Sequence, residues 1–189
     1  MFDHDDLNLK IGLEIHQQLS SKKLFCNCST KFQEKNLDLE FKRKLRATAG
    51  EQGYIDVAAQ FEESKNREFV YHGYKNEYCL VDCDESPPYE INQDALITAL
   101  SVARLFKLNI PDELIVMRKI ITDGSACSSF QRTMLVGYES KDSFIETSKG
   151  KVKITSLCLE EDACKIERVH ENKVHYSLSR QGIPLLEIR

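Results

Sequence analysis

Within residues 10–19, apolar and polar side chains alternate from Lys10 to His16. The apolar positions are Ile11, Leu13 and Ile15, and the polar ones include Glu14 and His16. A period of two is typical of a strand with one buried face. Glu14 and His16 therefore share a face, about 6–7 Å apart along the strand. Such a pair can share a metal ion or a proton, and the simpler interpretation is a solvated polar face.

Helical periodicity is clearest from Gln93 to Leu108, where Asn92 is a suitable N-cap. A short helix is also predicted within Tyr54–Arg67. Residues 31–46 are polar and strongly charged, which indicates a loop.

Runs rich in β-branched and aromatic residues predict further strands. They are Glu68–Tyr74, Tyr78–Asp82, a buried strand at Leu114–Ile121, Phe130–Tyr138, Lys151–Leu159 and Val174–Arg180, followed by an apolar run within Gln181–Arg189. Strands outnumber helices and do not alternate with them regularly. We therefore expect an α+β fold, a largely antiparallel β-sheet cradle with a few flanking helices.

Length and charge narrow the class of protein. The 189 residues suffice for one domain or two small ones. A net charge of −4 argues against a protein that holds nucleic acid by overall charge alone. No run of about 18 apolar residues is present, and the acidic N-terminus lacks the apolar segment of a signal peptide. We expect a cytoplasmic protein that does not contact a membrane.

The seven cysteines are an odd number without a secretory signal, which favours reduced thiols over a disulfide framework. Two short-spaced pairs, Cys26 with Cys28 and Cys79 with Cys83, can together form a four-thiolate Zn²⁺ site. Their spacings differ from the common two-residue spacing, so free thiols are the alternative interpretation.

Three consecutive carboxylates, Glu160, Glu161 and Asp162, follow an apolar run. Their mutual repulsion is relieved by a cation beside them. In a regular strand Glu160 and Asp162 share one face and Glu161 takes the other. Together with Glu14 and His16 they suggest a site for Mg²⁺, which prefers oxygen ligands. The sequence lacks the glycine-rich nucleotide-binding fingerprints and the G-x-S-x-G elbow.

Ordered motifs along the whole chain resemble the archaeal GatE family of glutamyl-tRNA(Gln) amidotransferases. The motifs are 11–19, 23–28, 49–51, 79–82, 84–88, 117–120, 123–125, 130–133, 158–164 and 182–188. The related GatB proteins of bacteria and organelles share the opening strand, the Leu-Glu-Glu-Asp-Ala run and the closing Pro-Leu-x-Glu-Ile. They carry an Arg-Lys-Asn-Tyr type of segment where this chain has Met117–Ser125. GatE is therefore the better match, and GatB of the GatCAB enzyme is the further alternative.

The resemblance implies a two-step reaction on glutamate misacylated onto tRNA(Gln). ATP phosphorylates the γ-carboxylate, and ammonia from an asparaginase-like partner, GatD, then attacks the acyl phosphate. It also implies that residues 1–189 are the N-terminal part of the catalytic cradle domain. The family's inserted domain and its tRNA-binding tail domain would be absent here. The full-length protein is expected to form a heterotetramer with GatD.

The resemblance assigns roles to matched positions. Glu14, His16, Glu160 and Glu161 are implied as the catalytic Mg²⁺ site, and Arg118, Lys119 and Arg180 as contacts for ATP phosphates. For the basic residues, a solvated strand end is the alternative. Cys83 and Ser86 depart from the family pattern, so the Zn²⁺ hypothesis rests on this sequence alone. A non-catalytic, zinc-stabilised scaffold that docks the ammonia-producing partner or RNA is the competing functional hypothesis.

Overall fold

A computed structural model describes residues 10–47, 49 and 53–189. Within them lie two helices and eleven strands. In chain order these are β1 Ile15–Gln18, β2 Leu37–Lys44, α1 Val57–Ser64, β3 Glu68–Tyr74, α2 Gln93–Leu105, β4 Val116–Ile120, β5 Phe130–Tyr138, β6 Phe144–Thr147, β7 Gly150–Lys153, β8 Ser156–Glu161, β9 Lys165–His170, β10 Lys173–Ser177 and β11 Pro184–Ile188. Neither helix is long and apolar enough to cross a membrane.

Two larger sheets contain most of the strands. The first has the order β1-β11-β8-β5-β4, and every neighbouring pair in it is antiparallel. The second has the order β2-β3-β10-β9, in which β3 and β10 run parallel. A hairpin of β6 and β7 completes the set. The predicted α+β fold with largely antiparallel sheets is confirmed.

Helix α2 covers one face of the five-stranded sheet. The Asn92 side chain caps it by accepting a 3.0 Å hydrogen bond from the Ala95 backbone N–H. Ala95, Ala99 and Ala103 are fully buried and let the helix lie close to the strands. Leu157, Leu159 and Leu186 pack in the same core. The residues that alternate with these leucines therefore occupy the opposite face of the sheet.

A second core lies against the four-stranded sheet and is built from stacked aromatic rings. The Tyr71 ring stacks on Phe41 and on Tyr176, with centroids 5.2 and 5.8 Å apart. Cys83, Cys127 and Cys164 are buried beside them. The hydroxyl of Tyr71 donates a 2.7 Å hydrogen bond to the Gly124 carbonyl, so the core is also fixed to the loop that follows β4.

Five local predictions were wrong. The run 10–19 forms a strand only at β1, and the apolar side chains of Ile11, Leu13 and Ile15 are exposed rather than buried. Residues 31–46 are not all loop, because β2 turns Leu39 and Phe41 towards the second core while most of its charged residues are exposed. Residues 78–82 form turns rather than a strand. The predicted strand 114–121 exists as β4, but it is an exposed sheet edge rather than buried. The predicted strand 151–159 is divided between β7 and β8.

Candidate metal centre

Strand register builds a group of ionisable side chains on the sheet face opposite α2. His16 of β1 pairs with Glu187 of β11, which in turn pairs with Cys158 of β8. Two residues along β8, Glu160 pairs with Leu185 of β11. Because residues two apart share a face, the two strands bring Cys158, Glu160 and Glu187 to the same side as His16.

The tightest group consists of Glu14, His16 and Glu187. His16 Nε2 lies 3.1 Å from Glu14 Oε1 and 3.3 Å from Glu187 Oε2. One ligand atom from each residue lies within 4.8 Å of the other two. A single imidazole nitrogen carries at most one proton and cannot donate to both carboxylates fully. A divalent cation between the three groups would satisfy all of them.

Two basic side chains partly neutralise these carboxylates. Arg189 Nε is 2.8 Å from Glu14 Oε2 and 2.9 Å from Glu187 Oε1, and Lys119 Nζ is 3.8 Å from Glu187 Oε2. Desolvation tends to raise the pKa of Glu14, but the attraction of Arg189 and its neighbours leaves that pKa below its usual value. Glu14 thus favours its charged carboxylate form, paired with Arg189.

The neighbouring acidic residues Glu160 and Glu161 point to opposite faces. Glu160 is 3% exposed and accepts hydrogen bonds from Gln131 Nε2 at 3.0 Å and Thr133 Oγ1 at 2.6 Å. Glu160 also groups with Cys158 and Glu187, with ligand atoms mutually within 4.8 Å. It therefore lies beside the Glu14–His16–Glu187 group.

Glu161, by contrast, is not brought to this group. Both of its carboxylate oxygens are 3.1 Å from Arg132 Nη1 on the α2 side of the sheet. Burial raises the pKa of Glu161, and Arg132 opposes that shift. Its contacts are those of a largely buried structural ion pair, with 12% of the Glu161 side chain and 14% of the Arg132 side chain exposed.

Glu187 belongs to the group but was absent from the sequence-based set. Its place in the apolar run Pro184–Ile188 is a usable signal, because Glu187 is the one acidic residue of this strand. What the sequence does not show is that β11 lies between β1 and β8.

Of the three predicted phosphate contacts, Lys119 alone lies beside the acidic group. Arg118 is on the other face of β4, where its guanidinium carbon is 5.4 Å from the centre of the Phe130 ring. Arg180 donates 2.8 Å hydrogen bonds to the carbonyls of Ala163 and Cys164. Through these contacts Arg180 stabilises the loop after β8.

The predicted zinc-binding cysteines are only partly brought together. Cys26, Cys28 and Cys79 form a group with Asp82, with one ligand atom of each within 4.8 Å of the others. Cys83 lies instead in the second core, 2% exposed. Hydrogen bonds from Cys26 and Cys28 hold the pKa of Cys79 below its usual range. Three sulfur ligands and one carboxylate are a donor set that suits tetrahedral Zn²⁺.

Residues 9–189 match the family model described as the GatB/GatE catalytic domain. The chain is 49% identical over 188 residues to the GatE subunit of the glutamyl-tRNA(Gln) amidotransferase of Methanococcus vannielii, an alignment that covers 99% of this chain. It is 50% identical over 183 residues, 96% of this chain, to the corresponding protein of Thermoplasma volcanium. In both comparisons the aligned region spans 29% of the relative's length.

Proposed function

Because the chain belongs to the GatB/GatE family, we propose that it provides the cation-binding face of an ATP-dependent glutamyl-tRNA(Gln) amidotransferase. The observation that carries the proposal is the convergence of Glu14, His16 and Glu187, with Glu160 beside them. The reaction is the conversion of Glu-tRNA(Gln) to Gln-tRNA(Gln), through phosphorylation of the glutamyl γ-carboxylate and then amidation with ammonia.

The donor set fits Mg²⁺, since it combines carboxylates with one imidazole and is open on one side. Glu14 and His16 are 44% and 49% exposed, whereas Glu187 is 2% exposed. Glu187 would therefore anchor the ion from within the sheet, and Glu14 and His16 would hold it at the surface. When bound, the ion neutralises phosphate oxygens during phosphoryl transfer.

Lys119 supplies a positive charge at the edge of the same face. Its side chain is 46% exposed, so its ammonium group can reach beyond Glu187 to an incoming phosphate oxygen. A point charge of this kind stabilises the charge that spreads over the transferred phosphoryl group. Arg118 and Arg180 are occupied elsewhere and are not assigned this role.

Ammonia would be produced by another subunit of the assembly. The relatives are named as subunits, which supports a multi-subunit enzyme. We assign the ammonia-producing role to the asparaginase-like partner GatD, and Glu-tRNA(Gln) is the proposed substrate. The identity to GatE proteins also favours this assignment over GatB.

The test is ATP hydrolysis that depends on Glu-tRNA(Gln), measured with the full-length protein and its GatD partner. His16→Ala and Glu187→Gln are expected to reduce the rate by about a hundredfold or more, as loss of a charge-stabilising group does. Glu146→Gln is the matched control, because Glu146 is exposed on β6, outside the group. Full activity in both site variants would contradict the proposal.

A zinc-stabilised scaffold without catalysis remains the second candidate, and the group of Cys26, Cys28, Cys79 and Asp82 favours it. The same assay separates the two candidates. A zinc-loaded complex that binds its partner but shows no ATP hydrolysis above background would support the scaffold.

A further inference from the structure

Cys158 places a thiol among the carboxylates of the candidate metal centre. It lies directly across from Glu187 in the β8–β11 pair and two residues before Glu160. Directly opposed residues in antiparallel strands have side chains in contact. The thiol therefore faces the same side of the sheet as both carboxylates.

These three residues meet the geometric requirement for a cation site of their own. One ligand atom from each of Cys158, Glu160 and Glu187 lies within 4.8 Å of the other two. Glu160 and Glu187 are 3% and 2% exposed, so their carboxylates are held by packing rather than swinging in solvent. A bound ion would draw these donors to metal–ligand distances of roughly 2.0–2.3 Å.

The donor set differs in chemical softness from that of the neighbouring group. Glu14, His16 and Glu187 offer oxygens and one imidazole, whereas Cys158 contributes sulfur. Thiolate sulfur selects Zn²⁺ and similar ions, and Mg²⁺ avoids it. Two adjoining groups that share one carboxylate thus have different metal preferences.

We propose that Cys158, Glu160 and Glu187 form a second cation subsite, which takes a thiophilic divalent ion such as Zn²⁺ or Cd²⁺. This subsite shares Glu187 with the Glu14–His16–Glu187 group, and its effect on catalysis rests on the function proposed above. When an ion binds, the S–H bond of Cys158 breaks, a sulfur–metal bond forms and the proton leaves to solvent.

Sharing of Glu187 makes the two subsites competitors. Glu187 Oε1 is already 2.9 Å from Arg189 and its Oε2 is 3.3 Å from His16 Nε2. A thiophilic ion that draws Glu187 towards Cys158 removes the buried anchor of the Mg²⁺ position. Thiophilic ions are therefore inhibitors of the Mg²⁺-dependent reaction, acting through Cys158.

Cd²⁺ titration of the full-length protein tests the subsite without any substrate. The readout is the ultraviolet charge-transfer absorption of the cadmium–thiolate bond, recorded on protein first stripped of bound metal. Cys158→Ser is expected to weaken one class of Cd²⁺ binding by at least about tenfold, as metal-ligand losses do. Cys83→Ser is the matched control, since Cys83 lies in the second core, outside both thiol-containing groups.

The inhibition is tested separately. Each variant's ATP hydrolysis is normalised to its own rate without Cd²⁺, and Cys158→Ser is expected to need at least about tenfold more Cd²⁺ for half inhibition. Unchanged Cd²⁺ absorption in both Cys158→Ser and Cys158→Ala would overturn the subsite. Charge-transfer absorption that depends on Cys158 in a protein without ATP hydrolysis would retain the subsite and count against the proposed function alone.

Discussion

His16 Nε2 lies 3.3 Å from Glu187 Oε2, although the two residues are 171 positions apart in the chain. The contact exists because β1 pairs with β11, the last of the five strands of this sheet in chain order. Glu187 is 2% exposed and His16 is half-exposed, so the pair joins the interior of the sheet to its surface. A cation bound here would therefore also hold the edge strand β1 in place.

Removal of Arg132 is expected to destabilise the fold rather than the metal centre. Arg132 is the cationic partner of the buried Glu161 carboxylate. Arg132→Met keeps much of the packing but leaves that charge uncompensated, at a cost of about 3–5 kcal/mol in the free energy of unfolding. Urea denaturation measures the loss. The double variant Arg132→Met/Glu161→Leu should recover most of it, and a double variant as unstable as the single one would contradict the ion-pair interpretation.

Lys119 and Arg118 are adjacent residues that should behave differently. Lys119 lies 3.8 Å from Glu187, whereas Arg118 stacks on Phe130 across the sheet. In the full-length complex, Lys119→Met should raise the KM for ATP or lower kcat by about tenfold or more, because a charge near the phosphates is lost. Arg118→Met should change either constant by less than about threefold. Equal effects of the two variants would show that neither side chain is specifically placed.

Zinc content should separate Cys83 from the other cysteines. Cys26→Ser, Cys28→Ser and Cys79→Ser each remove one ligand of the group that includes Asp82. Each is expected to abolish stoichiometric Zn²⁺ in the purified protein and to lower the Tm. Cys83→Ser should keep the metal. Elemental analysis measures the zinc content of each protein. Wild-type protein that contains no zinc after metal-replete purification would contradict the proposed zinc site.

His72 and His175 form a buried pair on the face of the four-stranded sheet opposite the second core. His175 Nδ1 is 3.5 Å from His72 Nε2 and 3.4 Å from Arg168 Nη2. The His72 ring is in turn held between Glu40 and Glu167, at 3.2 and 2.5 Å. Desolvation, helped by the nearby charges of Arg168 and His72, lowers the pKa of His175.

Stability should consequently decline at mildly acidic pH. A histidine whose folded pKa is lowered takes up its proton more readily in the unfolded chain, so its contribution is complete above about pH 6.5 and is lost as the pH falls below that value. His175→Asn should flatten the fall in unfolding free energy as the pH drops below about 6.5. His170→Asn is the control, because His170 is exposed on β9. Identical pH profiles for wild type and His175→Asn would refute this assignment.

Local sequence patterns predicted what depends on near neighbours. The α2 helix, its Asn92 cap and the strand Glu68–Tyr74 follow from periodicity and capping chemistry, and the structure confirms them. Strand alternation also predicted that Glu160 and Glu161 face opposite ways. Pairing between distant strands was not predictable, since nothing local to Glu187 specifies that β11 lies between β1 and β8.

The cysteine group shows a related limit of sequence reasoning. Spacing alone suggested Cys83 as the fourth ligand, but the turn at 79–84 directs Cys83 into the second core. The Asp82 carboxylate accepts a 3.0 Å hydrogen bond from the Cys79 backbone N–H, which draws it towards the thiols instead. A strand at Tyr78–Asp82, as first predicted, would have placed these side chains on alternating faces.

Divalent-cation binding to the face that carries Glu14, His16 and Glu187 is the most direct test of the central claim. Mn²⁺ serves as a paramagnetic substitute for Mg²⁺, and electron paramagnetic resonance counts the free ion during titration of the full-length protein. One site per chain is expected, weakened by at least about tenfold in His16→Ala and in Glu187→Gln and unchanged in Glu146→Gln. Equal Mn²⁺ affinity in all four proteins would contradict the account.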